Sequence, residues 1–122
     1  MSRFRVLLID DEQELVTTLV ERLHYRDIEA EYALDGVEGL MKMRTGNFQI
    51  AVVDLKLPGM GGAEVLKRIR NKYPDVPVLL ITGHVSADTE SETIPEGAFD
   101  YLVKPVNLKD LIAKMEEALG NP

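Results

Sequence analysis

The chain has no cysteine and no tryptophan. Without cysteine there is no disulfide framework and no thiolate nucleophile, and a zinc site would lack its softest ligand. That composition fits a reducing cytoplasm. Aromatic residues make up only 6% of the chain, too few to wall a flavin ring. Positive charge is also scarce, with 14 Lys and Arg against 21 Asp and Glu, a net charge of −7. Such a surface repels phosphate backbones and argues against direct binding of DNA or RNA. No apolar run is long enough to cross a bilayer, and Met1-Ser2-Arg3-Phe4-Arg5 leads into a strand pattern rather than a signal peptide. The expectation is a cytoplasmic protein with no membrane partner.

What is present is a regular alternation. The 122 residues suit one domain over 1–122, able to bury about two-thirds of its unfolded surface. Val6-Leu7-Leu8-Ile9 is a continuous apolar run, as in a strand buried on both faces. Leu15, Leu19 and Leu23, flanked by Val16 and Val20, then form a helical stripe. Glu29 to Ala33 reads weakly as a second strand. Asp35-Gly36 reads as a turn before a short helix through Val37, Leu40 and Met41 that ends near Gly46. Ile50 to Val53 is the third strand, and Val65, Leu66 and Ile69 carry a helix that stops before Pro74. Val76 to Ile81 predicts the fourth strand and Tyr101 to Val103 the fifth. Asn107 predicts the N-cap of a last helix with Leu108, Leu111, Ile112, Met115 and Leu119 on one face, stopped by Gly120 and Pro122. The segment from Ser86 to Gly97 reads as a fourth helix with poor propensity, rich in Ser, Thr and acids and containing Pro95. Strand and helix repeated five times predict an α/β fold, a doubly wound parallel sheet with helices on both faces.

Four of the strand patterns end in a polar or charged residue. Asp54 closes the run that begins at Gln49. Asp10-Asp11 closes the first, Thr82 the fourth, and Lys104-Pro105 the fifth. In an open parallel sheet these tips lie side by side, where ligands bind. Carboxylates about 4 Å apart repel by about 4 kcal/mol at an effective dielectric of 20, so three acids require a proton or a cation. Mg2+ fits, since it takes oxygen ligands and keeps places for phosphate oxygens. Lys104 adds a second positive charge and Thr82 a hydroxyl. The set suits phosphoryl transfer to Asp54 as nucleophile, giving an aspartyl phosphate. Singly, each residue has an ordinary explanation: Asp10-Asp11 as a helix cap, Thr82 in a turn, Lys104 on a solvated surface. The cluster is harder to reach by chance. His24 and His84 have no metal-ligand spacing, and the five methionines read as core filler.

The chain resembles the receiver domains of two-component response regulators. The resemblance is carried by Leu8-Ile9-Asp10-Asp11-Glu12, by Val53 through Gly62, by Leu80-Ile81-Thr82-Gly83, and by Phe99 through Pro105. It implies a flavodoxin-like sheet of order 2-1-3-4-5. It implies that Asp54 takes a phosphoryl group from the phosphohistidine of a sensor histidine kinase or a phosphotransfer protein. Asp10, Asp11 and Asp54 would hold Mg2+ with the backbone carbonyl of Lys56, Asp10 largely through water. Thr82 and Lys104 would contact the phosphoryl oxygens, and Tyr101 would be the aromatic switch. Lys104-Pro105 stands where the family has a cis peptide. The output would be a changed protein interaction with a downstream target or an attached output domain, and a phosphorylation-dependent homodimer is left open. The chain would catalyse only its own phosphorylation and dephosphorylation.

Local departures sharpen these expectations. Lys56 and His84 occupy the variable positions two residues past Asp54 and Thr82, and Lys56 is expected to tune phosphate lifetime. Gly83 is expected to leave room for Tyr101 or substrate and to add flexibility. The segment from 86 to 97 is expected to be short or frayed, with weak amide protection over 87–97. Three other readings compete, the last of them a purely structural module that merely keeps the acid pocket. A Mg2+-dependent phosphohydrolase with an Asp nucleophile would want an acid where Lys56 stands. A flavodoxin would want a hydroxyl-rich first loop, whereas this one is acidic.

Overall fold

A computed structural model describes residues 3–83 and 94–120. Five strands form one sheet: β1 (Arg5–Ile9), β2 (Glu29–Ala33), β3 (Ile50–Asp54), β4 (Val78–Thr82) and β5 (Asp100–Val103). The order is β2-β1-β3-β4-β5, with every pair parallel. The described residues contain four helices: α1 (Gln13–His24), α2 (Gly36–Thr45), α3 (Gly62–Lys72) and α4 (Leu108–Ala118). The sequence predicts five. The additional helix falls mainly on residues 84–93, outside those described, together with the expectation of weak amide protection there; residues 94–97 form a bend and a turn.

Strand alternation sorts the core into two layers. Val6, Leu8, Val52, Leu79 and Ile81 point to one face, where Val16, Leu19 and Leu23 of α1 and Leu111, Ile112 and Met115 of α4 cover them. Leu7, Ile9, Val53, Val78 and Leu80 point to the other, under Met43 of α2 and Val65, Leu66 and Ile69 of α3. Both faces of β3 and β4 are buried, which explains why their sequences are unbroken apolar runs. Each large side chain so buried contributes about 1.5–3 kcal/mol.

Local chemistry sets the helix ends. Asn107 caps α4, its side chain accepting from Asp110 N at 3.1 Å. Asp35-Gly36 is a helix start rather than a free turn: Asp35 Oδ1 accepts from Glu38 N at 2.8 Å, and Glu38 Oε1 accepts from Leu34 N at 2.8 Å. Each cap is worth about 1 kcal/mol. Arg70 Nη1 donates to Pro74 O and Val76 O beyond the end of α3, at 3.0 and 2.9 Å. Val76 N donates back to Tyr73 O at 3.0 Å and Pro77, which has no N–H, reaches β3 only through its carbonyl, so β4 begins at Val78, two residues later than the apolar pattern predicts.

Candidate phosphoryl-transfer site

The parallel register brings the strand tips together. Ile9 pairs with Val53, so Asp10 and Asp54 follow on adjacent strands. Thr82 pairs with Val103, and Lys104 N donates to Thr82 O at 2.8 Å. One carboxylate oxygen from each of Asp10, Asp11 and Asp54 lies within 4.8 Å of the others. Asp10 and Asp54 are buried at 1% and 4% exposure, while Asp11 is exposed, so the cluster opens to solvent on one side.

Backbone amides orient the buried acids. Asp10 Oδ1 accepts from Glu12 N at 2.8 Å, and Asp54 Oδ1 accepts from Lys56 N at 3.1 Å. The second oxygens face Lys104, whose Nζ is 3.0 Å from Asp10 Oδ2 and 3.4 Å from Asp54 Oδ2. Asp10 Oδ2 is close enough to Lys104 for an ion pair but lacks hydrogen-bond geometry, so this buried oxygen has no hydrogen-bond partner. Three oxygen donors, one of them an unsatisfied buried carboxylate oxygen, fit a hard divalent cation.

The electrostatics follow from burial. Desolvation pushes the Asp54 carboxyl above its ordinary pKa, and the nearby Asp10 charge adds to the rise; the Lys56 amide and Lys104 oppose it. Burial by itself would lower the Lys104 pKa. Glu12 and the two buried aspartates more than offset that, and the ammonium is held well above its ordinary value.

Glu12 is the residue to which the sequence assigned no role. Its Oε1 accepts from Lys104 Nζ at 2.5 Å, making it the third carboxylate on that ammonium. The available signal was its place directly after Asp10-Asp11. The Lys56 side chain is exposed while its amide engages Asp54. Tyr101 is half-buried and packs against the layer containing α2 and α3. A methyl group at Gly83 would meet nothing within 4 Å, consistent with open space there. The Lys104-Pro105 peptide is cis. His24 is exposed, and His84 lies outside the described residues.

Residues 6–116 match the response regulator receiver domain. The chain belongs to that family. The receiver domain is 35% identical over 118 residues to the transcriptional regulatory protein TrcR of Mycobacterium tuberculosis, a match covering 97% of this chain and 46% of that protein. A CheY-like receiver domain protein from Methanospirillum hungatei superposes with a TM-score of 0.87 at 33% identity, covering 98% of this chain and 95% of the other. The response regulator TrrA of Thermotoga maritima, solved with Mg2+ and BeF, gives a TM-score of 0.84 at 32% identity, covering 98% and 100%. This receiver domain spans about half the length, or less, of the curated relatives it matches. Among the described residues no helix is long and apolar enough to cross a membrane.

Proposed function

We propose that Asp54 is the phosphoacceptor of this receiver domain and that the chain 1–122 works as one phosphorylation switch. The observation that carries this reading is the Lys104 ammonium lying against Asp54 and Asp10 beside three clustered carboxylates. In the proposed step an Asp54 carboxylate oxygen attacks the phosphorus of a phosphohistidine. The N–P bond breaks, the imidazole leaves with the bonding pair, and an acyl phosphate forms on Asp54. Asp10, Asp11, Asp54 and the Lys56 carbonyl oxygen would hold Mg2+, which when bound supplies charge neutralisation to the phosphoryl oxygens. Lys104 exchanges its contact with Asp54 for a phosphoryl oxygen, and the Thr82 hydroxyl donates to another. Tyr101 responds to the drawn-in Thr82 and alters the surface around β5.

The donor of the phosphoryl group is a sensor histidine kinase or a phosphotransfer protein, in the cytoplasm. The receiver of the signal is a downstream protein or an output domain attached to this one, and the phosphorylated form is a candidate homodimer. This domain does not itself bind nucleic acid, and its only catalysis is its own phosphorylation and dephosphorylation. A phosphohydrolase reading is disfavoured by Lys56, which has no carboxylic acid to protonate a leaving group.

Beryllofluoride with Mg2+ tests the reading. The expected result is a rise in thermal stability and, with a small phosphodonor, one hydroxylamine-sensitive phosphate per chain, both lost in Asp54→Asn. Sustained turnover of a small phosphate ester by the wild type would select the hydrolase instead.

A further inference from the structure

One surface groove runs against the charge of the whole molecule. It lies between α2 and α3, shares no lining residue with the acidic cluster, and holds about 360 Å3. Val37, Leu40, Met41 and Arg44 line it from α2. Their spacing of i, i+3, i+4 and i+7 makes one continuous helical stripe. The neighbouring face of α2 sends Gly36, Gly39 and Met43 into the fold. Leu40 packs partly against the core, whereas Val37 and Met41 are left outside it, 57% and 63% exposed. Met60 and Tyr73 complete the apolar lining from the two ends of α3.

The rim is cationic. Arg44, Arg68 and Lys72 border the groove, and no acid lines it. The same chain carries seven more acids than bases. Arg68 is already paired with Glu64 at 2.8 Å. Arg44 and Lys72 have no ion pair among the described residues, and Lys72 lies over the Tyr73 ring at 5.8 Å. Contiguous exposed apolar surface marks interaction sites. A flanking pair of unneutralised cations selects the sign of what binds.

We propose that this groove docks an acidic amphipathic helix of a partner protein. The apolar stripe on α2 gives anchor positions at helical spacing, and α2 and α3, of 10 and 11 residues, are each about 15 Å long, enough for two to three turns of a docked helix. Leucine-like anchors seat on Leu40, Met41 and Tyr73, and acids beside them reach Arg44 and Lys72. The inference stands independently of the reaction at Asp54.

The test titrates the full chain, labelled for amide and Met-methyl NMR, with a lactam-bridged 16-residue helical peptide bearing leucines at i, i+4 and i+7 and glutamates beside them. The expected result is saturable shifts centred on Leu40, Met41 and Tyr73 that weaken with salt. Binding should fall about tenfold in the double variant Arg44→Glu, Lys72→Glu and persist in Arg44→Lys, Lys72→Arg. Both pairs are on the surface, and unchanged melting temperatures check that the fold is intact. The proposal is overturned if the same peptide with lysines for glutamates binds equally well, or if shifts map elsewhere or are absent. It is equally overturned if sodium laurate or phosphatidylglycerol vesicles occupy the groove more tightly than the peptide, or if Met41 shifts with protein concentration alone, which would make a second copy of the chain the occupant.

Discussion

Lys104 Nζ lies 3.4 Å from Asp54 Oδ2, although fifty positions separate the two residues. The strand tips of β3 and β5 flank that of β4, and the ammonium bridges the gap between them. One cation thereby meets three carboxylates, from Asp10, Glu12 and Asp54.

Removing this cation should unmask the repulsion among the acids. Lys104→Met is expected to lose about 2 kcal/mol at neutral pH without divalent cations, since it leaves buried charges uncompensated. Because the folded-state pKa of Lys104 is raised above its ordinary 10.5, its stabilisation is fully present below that pH. It is lost as the pH rises through the higher folded value. Urea denaturation from pH 7 upward should show the wild type converging on the variant only in strong base.

Asp54→Asn should act in the opposite direction. The folded-state carboxyl titrates above its ordinary 3.8, so its ionisation opposes folding at neutral pH. The cost appears as pH rises above 3.8 and reaches its full size above the folded value. Without Mg2+, the variant is expected to melt about 3–5 °C higher at pH 7, equivalent to roughly 1 kcal/mol, with the gain shrinking towards pH 4. An unchanged melting point at pH 7 would contradict the strained-acid account.

Gly62 is the tightest point under the site. A Cβ there would stand 2.2 Å from Asp54 O and 2.6 Å from Leu55 Cα, both backbone atoms that have nowhere to go. Gly62→Ala is expected to cost about 2–3 kcal/mol and to slow phosphorylation, measured by denaturation and by phosphodonor uptake. Gly61→Ala meets nothing within 4 Å and, losing only the N-cap preference for glycine, should cost no more than about 1 kcal/mol.

Lys56 combines a structural amide with a free side chain. Its N donates to Asp54 Oδ1 at 3.1 Å, a bond that any residue with a backbone N–H can make. Lys56→Ala should therefore keep the fold and change only the rate of acyl-phosphate loss, followed with radiolabelled phosphate. An unaltered rate would remove the side chain from the reaction.

Asp100 and Lys114 tie β5 to α4 through a 2.6 Å ion pair. Burial alone would raise the Asp100 pKa, but Lys114 and the Tyr101 amide together hold it below 3.8. The stabilisation from the pair is then present above pH 3.8 and lost as pH falls through the lower folded value. A double-mutant cycle with Asp100→Asn and Lys114→Met should give a coupling of about 0.2–1 kcal/mol at pH 7 and none in strong acid.

Much of the fold was legible because periodicity in the sequence is local physics. Unbroken apolar runs at Val6–Ile9 and Ile50–Val53 require burial on both faces, and the stripe through Leu111 and Met115 requires a helix with one covered side. The three acids that cluster were legible for the same reason, each standing at the end of a strand pattern. The start of β4 was placed two residues early because Val76 has strand character, while its N–H turns back to Tyr73 O and Pro77 has none to give the ladder. The helix start at Asp35 was read as a turn, since a cap and a turn use the same residue types.

Residue order by itself determined the element types, the parallel sheet and the identity of the acids, because hydrophobic period and strand-ending residues depend on neighbours within a few positions. Three-dimensional packing alone decided that Glu12 shares the Lys104 ammonium, that an Asp10 oxygen is buried without a hydrogen bond, and that an apolar stripe on α2 faces cations on α3. Those features arise from distances between side chains remote in sequence, which are set only when the register of the sheet and the seating of the helices are complete.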